Sequence, residues 1–287
     1  ANIRDNKPDV MHIQSYGAMK YARLLSTLSG VPWVVTEHAS VFKRRLFNSK
    51  QLRRIGKRFD QAAAVYAVSK GLQETIQPLT TKEVLVVPNL VNDIFFLAPI
   101  APREHSPFTF VSIASLDHKK GLDILIRSFS KAFGGNGDVK LNICGKGPDR
   151  EKLQELAASL GVADQIFFLG ELSRGECVKL LFASDAFVLP RRVETFGIVF
   201  GEAMAMGLPI IMAKTDAYQD LVTVETGLAV DIDDVEDLCS KMQEIFNKKD
   251  KFDGQKIRSF CRSKYSEAVV AQLLTERYSD VTGPKVN

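Results

Sequence analysis

From residue 108 onward, short runs of apolar and β-branched residues alternate with stretches whose apolar positions recur every three to four residues. The runs are FTFVSIAS (108–115), VKLNICG (139–145), QIFFLG (165–170), AFVLP (186–190), LPIIMA (208–213) and GLAVD (227–231). Between them stand GLDILIRSFSKAF, DREKLQELAASLG, SRGECVKLLFAS, TFGIVFGEAMAMG and DVEDLCSKMQEIFNK. Such alternation predicts a βα repeat, hence a parallel sheet with helices on both faces. Right-handed crossovers make it a doubly wound, Rossmann-like domain that binds ligands at the carboxyl ends of its strands.

The front of the chain reads the same way. DVMHIQ, PWVVTEH, AVYAVS and EVLVVPN are candidate strands, separated by helical stretches such as AMKYARLLSTLSG and KGLQETIQ. The segment LAPIAPREHSP (97–107) holds three prolines and ends the periodicity. The expected organisation is an N-terminal lobe over 1–98, a linker over 99–107, a larger lobe over 108–265, and a C-terminal helix over 266–287 that crosses back to the first lobe. The first lobe is the shorter and opens just before a strand, so two lobes of one kind imply one or two βα units missing from the front.

A length of 287 residues suits two domains, and 45% apolar with 25% charged residues excludes disorder and fibrous classes. Cys144, Cys177, Cys239 and Cys261 form no CxxC pair, which argues against a zinc ribbon or disulfide framework and fits a reducing cytoplasm. The polar start lacks a signal-peptide h-region, and no apolar run of about 18 residues exists to span a bilayer. Charge alters the picture locally. Of 38 Lys and Arg, 8 fall in KRRLFNSKQLRRIGKR (43–58), so 30 basic residues face 34 acidic ones elsewhere. With Leu46, Phe47, Leu52 and Ile55 at roughly helical spacing, this segment suits an anionic membrane, a phosphate-bearing substrate, or a solvated helix face.

The most specific chemistry lies in Pro190 to Pro209, PRRVETFGIVFGEAMAMGLP. A strand ends at Pro190, a loop carries Glu194, and a helix is expected to begin near Phe196. The free amides of Phe196, Gly197, Ile198 and Val199 then form an anion site at a strand's carboxyl end. Glu194 before the helix and Glu202 on its second turn can receive hydroxyls of the same ligand.

The string LPxxxETFGIVxxEAMAxGLPII resembles the signature of the retaining glycosyltransferases of family 4, which have the GT-B fold of two Rossmann-like domains facing a cleft. The resemblance extends in the family's order to KPDVMHIQ (7–14), VPWVVTEH (31–38), VVPNLVNDIFF (86–96), SLDHKKGLDILIRSF (115–129), LNICGKGPDREKL (141–153) and IFFLGEL (166–172). It implies transfer of a sugar from a UDP-, GDP- or ADP-linked donor to a glycan or lipid-linked acceptor, with no cofactor and no metal. Residue by residue, it implies that Glu194 lies by the transferred sugar and Glu202 binds the donor's ribose. It puts the amides of Phe196 to Val199 at the diphosphate and sugar, with Leu172 also on the donor side. Lys120 neutralises the leaving diphosphate, and His38 faces the sugar from the first lobe.

Departures accompany the match. Ser115 stands where the family often has Arg, which leaves Arg191 or Arg192 to compensate; Ala217 and Tyr218 replace an expected glycine pair, and Leu90 replaces a glycine. Asp231 and Asp233 spell DxD, but before a helix such acids serve as N-caps. GKGP (145–148) reads as a strand-to-helix turn near the donor's base, and His105 and His118 lack ligand-spaced partners. The basic run has no aromatic platform beyond Phe47, which disfavours nucleic acid. Two other functions remain open: a GT-B nucleotide-sugar epimerase and a non-catalytic nucleotide-binding remnant.

Overall fold

The computed structural model describes residues 7–42, 44, 46–100, 106–248 and 251–283. Lys43 and Arg45 of the basic run, His105 and the middle of the expected linker lie outside the described residues. Two compact units emerge, Ala1–Leu90 with Glu267–Asn287, and Val91–Ser266.

The first unit runs β1 (Met11–Gln14), α1 (Met19–Ser29), β2 (Trp33–Glu37), α2 (Ser49–Phe59), β3 (Ala64–Ala67), α3 (Lys70–Ile76) and β4 (Val84–Val86). Its strands pair in parallel in the order β1-β2-β3-β4, with Met11 opposite Trp33 and Val65 opposite Val84. Every residue of β2 is buried, as a strand covered on both faces requires. Local signals set the helix ends. Gly30 takes a left-handed C-cap after α1, the Asn48 and Gln51 side chains form a capping box on α2, and Ser69 caps α3.

The second unit opens with α4 (Ile94–Leu97) and continues through β5 (Phe108–Ile113), α5 (Leu122–Phe133), β6 (Val139–Cys144), α6 (Arg150–Ser159), β7 (Ile166–Gly170), α7 (Arg174–Phe182) and β8 (Ala186–Leu189). It closes with α8 (Ile198–Ala205), β9 (Ile210–Ala213), α9 (Tyr218–Leu221), β10 (Gly227–Val230), α10 (Val235–Asn247) and α11 (Gly254–Tyr265). Six parallel strands lie in the order β10-β9-β8-β5-β6-β7. The winding therefore reverses between β5 and β8, where the next strands in sequence, β6 and β9, lie on opposite sides. A ring cluster of Phe108, Phe110, Phe129, Phe133 and Phe246 fixes α5 and α10 against one face of this sheet.

The border between units differs from the expected one. Prolines mark where periodicity stops, but the preceding stretch is already anchored in the second unit. The Val91 N–H donates to Tyr265 O at 2.7 Å, Phe95 and Phe96 are buried, and Arg262 donates to Phe96 O at 3.1 Å. The chain then ends in α12 (Glu267–Thr282), which belongs to the first unit. There Leu273, Leu274, Tyr278 and Val281 cover Val34, Tyr66 and Val87, and Tyr278 Oη lies 2.6 Å from His12 Nδ1.

Gly121 joins the turn after β5 to α5 at φ +67°, and a Cβ there would lie 2.2 Å from Pro190 O. Gly135 has φ +78° with nothing within 4 Å of a built Cβ. Gly135→Ala is expected to cost about 1 kcal/mol from left-handed strain alone, and Gly121→Ala at least ~2 kcal/mol more because Pro190 must shift. Equal unfolding free energies for the two variants in urea titration would show that the approach of Gly121 to Pro190 is not needed.

Candidate donor site at the strand-order reversal

The second unit's candidate residues come from the carboxyl ends of β5, β6, β7 and β8. After β5 the chain turns through His118–Lys120, where Asp117 caps the turn by accepting from Lys119 N–H at 3.0 Å. Ser115, the residue standing in for Arg, donates its hydroxyl to Asp117 Oδ2 at 2.7 Å. Burial pushes the Asp117 carboxyl up, but hydrogen bonds from Ser115 and Lys119 and the adjacent lysines hold it below its ordinary range.

Lys120 is half-buried at the end of that turn. Burial first, then repulsion from Arg191, pushes its ammonium down to about 8, against the pull of Asp117. Arg191, from the loop after β8, is itself buried enough to be pushed down to about 10 and stays charged at neutral pH. Two cations on opposite sides of the strand-order reversal thus press against each other. Arg191 is in ion contact with Glu194 Oε2.

Glu194 is buried, and its Oε1 accepts from the N–H groups of Thr195 at 2.9 Å and Phe196 at 3.3 Å. This corrects the expectation at one position. The amide of Phe196 is occupied by Glu194, because α8 begins two residues later than expected, after Gly197 as a left-handed N-cap with φ +78°. The side chain of Phe196 is core, edge-on to Tyr265 at 5.4 Å between centroids. The N–H groups of Gly197, Ile198 and Val199 make no hydrogen bond among the described residues, so the positive end of α8 remains open.

Glu202 lies one turn further on, and burial pushes its carboxyl up to about 7, with Arg174 on α7 pulling it down. Its charge is also felt at Cys177. Ser115, Leu172 and Val199 line one cavity of about 380 Å³ together with Cys144, Gly145, Lys146, Glu171 and Cys177. Lys146 and Glu171 form an ion pair at its mouth, and Cys177 Sγ lies 4.0 Å from Leu172 O.

Lys146 falls in the GKGP turn expected near the donor's base, whereas the thiols, Glu171 and Arg174 were absent from the expected site. Cys144 ends β6 beside the GKGP turn, and that position is the one signal that marked it. Another cavity of about 370 Å³ lies over Leu122, Leu153 and Leu156 and is lined by none of Lys120, Arg191, Glu194 or Glu202. Asp231 and Asp233 pair with Lys214 and Arg192, both at 2.7 Å, and Asp234 caps α10 instead. Among the described residues no group of three or more His, Cys, Asp or Glu is arranged to hold a metal ion.

His38 belongs to the first unit, just past β2, where its Nε2 lies 2.6 Å from Gln14 Oε1. Burial lowers its pKa below the ordinary histidine value, so it is neutral at neutral pH. The neighbouring Glu37 is fully buried and ties the loop down, accepting from Ser15 Oγ at 2.8 Å and from the N–H groups of Tyr16, His38 and Ala39 at 2.7, 2.9 and 2.8 Å. On α2, Ile55 and Phe59 are buried while Lys50, Arg53, Arg54 and Lys57 are exposed without ion pairs among the described residues. Phe47 packs on Tyr16 and Phe42, so of the apolar residues singled out in this run Leu46 alone is exposed.

Comparison with known proteins accords with this geometry. Residues 1–94 match the family model Glycosyltransferase Family 4, and residues 95–258 match Glycosyl transferases group 1. The phosphatidyl-myo-inositol mannosyltransferase of Mycolicibacterium smegmatis is 26% identical over 98% of this chain and 73% of its own length. The GDP-mannose-dependent monoacylated alpha-(1-6)-phosphatidylinositol monomannoside mannosyltransferase of Corynebacterium glutamicum is 33% identical over 45% of this chain. The match spans only 35% of that relative's length, and 46% of an uncharacterized glycosyltransferase from Methanocaldococcus jannaschii. Among solved structures, Anabaena HepE with UDP superposes with a TM-score of 0.85 at 19% identity, over 96% of this chain and 80% of its own. Sucrose-phosphate synthase from Thermosynechococcus elongatus gives 0.83 at 18%, over 97% and 75%. The sequence matches and the shared GT-B fold lead to one conclusion: this chain belongs to the glycosyl transferases group 1.

Proposed function

We propose that the protein transfers a sugar from a nucleoside-diphosphate sugar to an acceptor hydroxyl, with retention and without a metal, in the synthesis of a glycolipid or glycan. The observation that carries this reading is the meeting of Lys120 and Arg191 beside the open amides of Gly197, Ile198 and Val199. Two cations that repel each other and three unsatisfied donors are all relieved by one ligand, a diphosphate. Glu202 then accepts from ribose hydroxyls, and the cavity beside Leu172 takes the base.

In this reading Glu194 lies by the sugar. The acceptor oxygen bonds to the anomeric carbon as the bond from that carbon to the phosphate oxygen breaks. The acceptor proton passes to the departing phosphate oxygen. The charge that develops there falls to Lys120, Arg191 and the α8 amides, which stabilise it as a divalent ion otherwise would. The mannosyltransferase names among the relatives favour a lipid-linked acceptor. The exposed cations of α2 suit an anionic membrane surface on the cytoplasmic side; with Ile55 and Phe59 turned inward, that contact is electrostatic rather than inserted. No helix among the described residues is long and apolar enough to cross a membrane.

In the full-length enzyme, Lys120→Ala is expected to lower kcat/KM by roughly 10²- to 10³-fold, the range for losing one preorganised charge partner, while EDTA leaves the wild type unchanged. Normal turnover of that variant, or loss of activity in EDTA, overturns the metal-free reading.

Affinity for the nucleoside diphosphate is expected to peak between about pH 7 and 8. Below about 7 Glu202 is protonated and ceases to be a full acceptor; above about 8 Lys120 loses its charge. Titration calorimetry across pH should show the acid limb flattening in Glu202→Gln and the alkaline limb flattening in Lys120→Ala. A profile that neither substitution alters refutes both assignments.

Vesicle sedimentation tests the surface. Binding should require anionic lipid, fade with salt, and drop in Arg53→Glu/Arg54→Glu, since each cation contributes about 1 kcal/mol through a screened attraction. Equal partitioning onto neutral vesicles removes the electrostatic account.

A further inference from the structure

Arg192 follows the proposed diphosphate cation Arg191, yet its side chain is only 15% exposed and wholly engaged within the protein. Its two terminal nitrogens donate in parallel to Asp123 Oδ1 and Oδ2, both at 2.9 Å, and Nε donates to Asp233 Oδ1 at 2.7 Å. One terminal nitrogen also donates to the carbonyl of His118, and the main-chain N–H of Arg192 donates to Lys119 O at 2.9 Å. These partners come from three places: the turn that ends on Lys120, the first turn of α5, and the connection from β10 to α10. Asp233 holds φ +61°, a left-handed conformation unfavourable for a residue with a Cβ, and its bond to Arg192 gives that conformation a partner.

The arrangement answers a specific problem. Lys120 and Arg191 repel each other across the gap between β5 and β8, and a flexible turn would let Lys120 swing into solvent. Two of the Arg192 bonds end on His118 and Lys119, the residues immediately before Lys120. The guanidinium fork matches the Asp123 carboxylate face to face, a geometry that a lysine cannot reproduce.

We propose that Arg192 is a positioning residue: with Asp123 and Asp233 it clamps the Lys120 turn to the loop after β8, and so holds Lys120 and Arg191 at the spacing of a diphosphate. The inference rests on the reading of Lys120 as a diphosphate ligand. It adds that the spacing is imposed by residues that never touch the donor.

The test uses the full-length protein titrated with UDP, GDP and ADP, following whichever binds. Arg192→Lys should weaken binding about tenfold, and Asp233→Ala more modestly, while Asp233→Asn, whose amide oxygen still accepts from Nε, restores affinity. In a Lys120→Ala background Arg192→Lys should cost less than about twofold more, because the group it positions is gone. The alkaline limb of the binding profile should also move to higher pH in Arg192→Lys, as Lys120 escapes the repulsion of Arg191; a loss of stability alone does not move that limb. Additive losses in the two backgrounds, or an unmoved limb, overturn the clamp. If Lys120→Ala itself leaves diphosphate affinity unchanged, the donor-site reading fails and takes the clamp with it. A normal loss in Lys120→Ala with an unaffected Arg192→Lys overturns the clamp alone.

Discussion

The candidate site of the second unit is built around two like charges, Lys120 and Arg191, on loops that leave neighbouring strands of the sheet. Neither group is free to avoid the other. β5 and β8 are neighbours in the sheet, and the chain leaves both at the same edge. A cation on each outgoing loop therefore meets its counterpart in a half-buried space, where water screens it poorly. Burial first, and that repulsion second, lower the basicity of Lys120. Like-charged and strained arrangements of this kind are a hallmark of functional sites.

Much of the surrounding structure manages that charge. Asp117 offsets it from below, and Ser115, having no guanidinium to contribute, spends its hydroxyl on Asp117. Glu194 pairs with Arg191 and also takes the amides of Thr195 and Phe196, so the protein's own carboxylate satisfies those donors. Arg191 is held by Glu194, and the amides of Gly197, Ile198 and Val199 remain open beside that pair. Arg192, Asp123 and Asp233 form an outer ring that keeps the two loops in register without facing the ligand.

The first unit shows the same economy on a smaller scale. Glu37 is a fully buried carboxylate with four hydrogen-bond donors, and burial nonetheless leaves it raised above the usual range. Those donors come from Ser15 and Tyr16 after β1 and from His38 and Ala39 after β2, so one side chain fixes both loops. Ser15 holds φ +68° there. The sheet beneath is completed by α12, whose Leu273, Leu274 and Tyr278 close over Tyr66 and Val34.

The strands of the second lobe were legible as short apolar and β-branched runs between helical patterns; β8 and β9 are buried throughout, as central strands of a parallel sheet require, whereas β6 carries Lys140 and Asn142 and edge strand β7 exposes Phe167 and Leu169. The helix start at α8 was legible in ETFGIVFGEAMA because a strand, a glycine and a helix follow one another there. Lys120 and Glu202 were singled out by resemblance, which says nothing of their environments. Whether a lysine is pushed down to about 8 or a glutamate up to about 7 depends on burial and on neighbours far away in sequence, which no local pattern records. The unit border at Leu90 escaped notice because prolines punctuate the chain while buried aromatics such as Phe95 and Phe96 decide where it belongs. Arg192 looked like a spare cation beside Arg191, and Asp233 like part of a DxD motif or a cap. Only the folded chain brings together residues 123, 192 and 233, because the strand order 10-9-8-5-6-7 makes neighbours of loops that the sequence keeps apart.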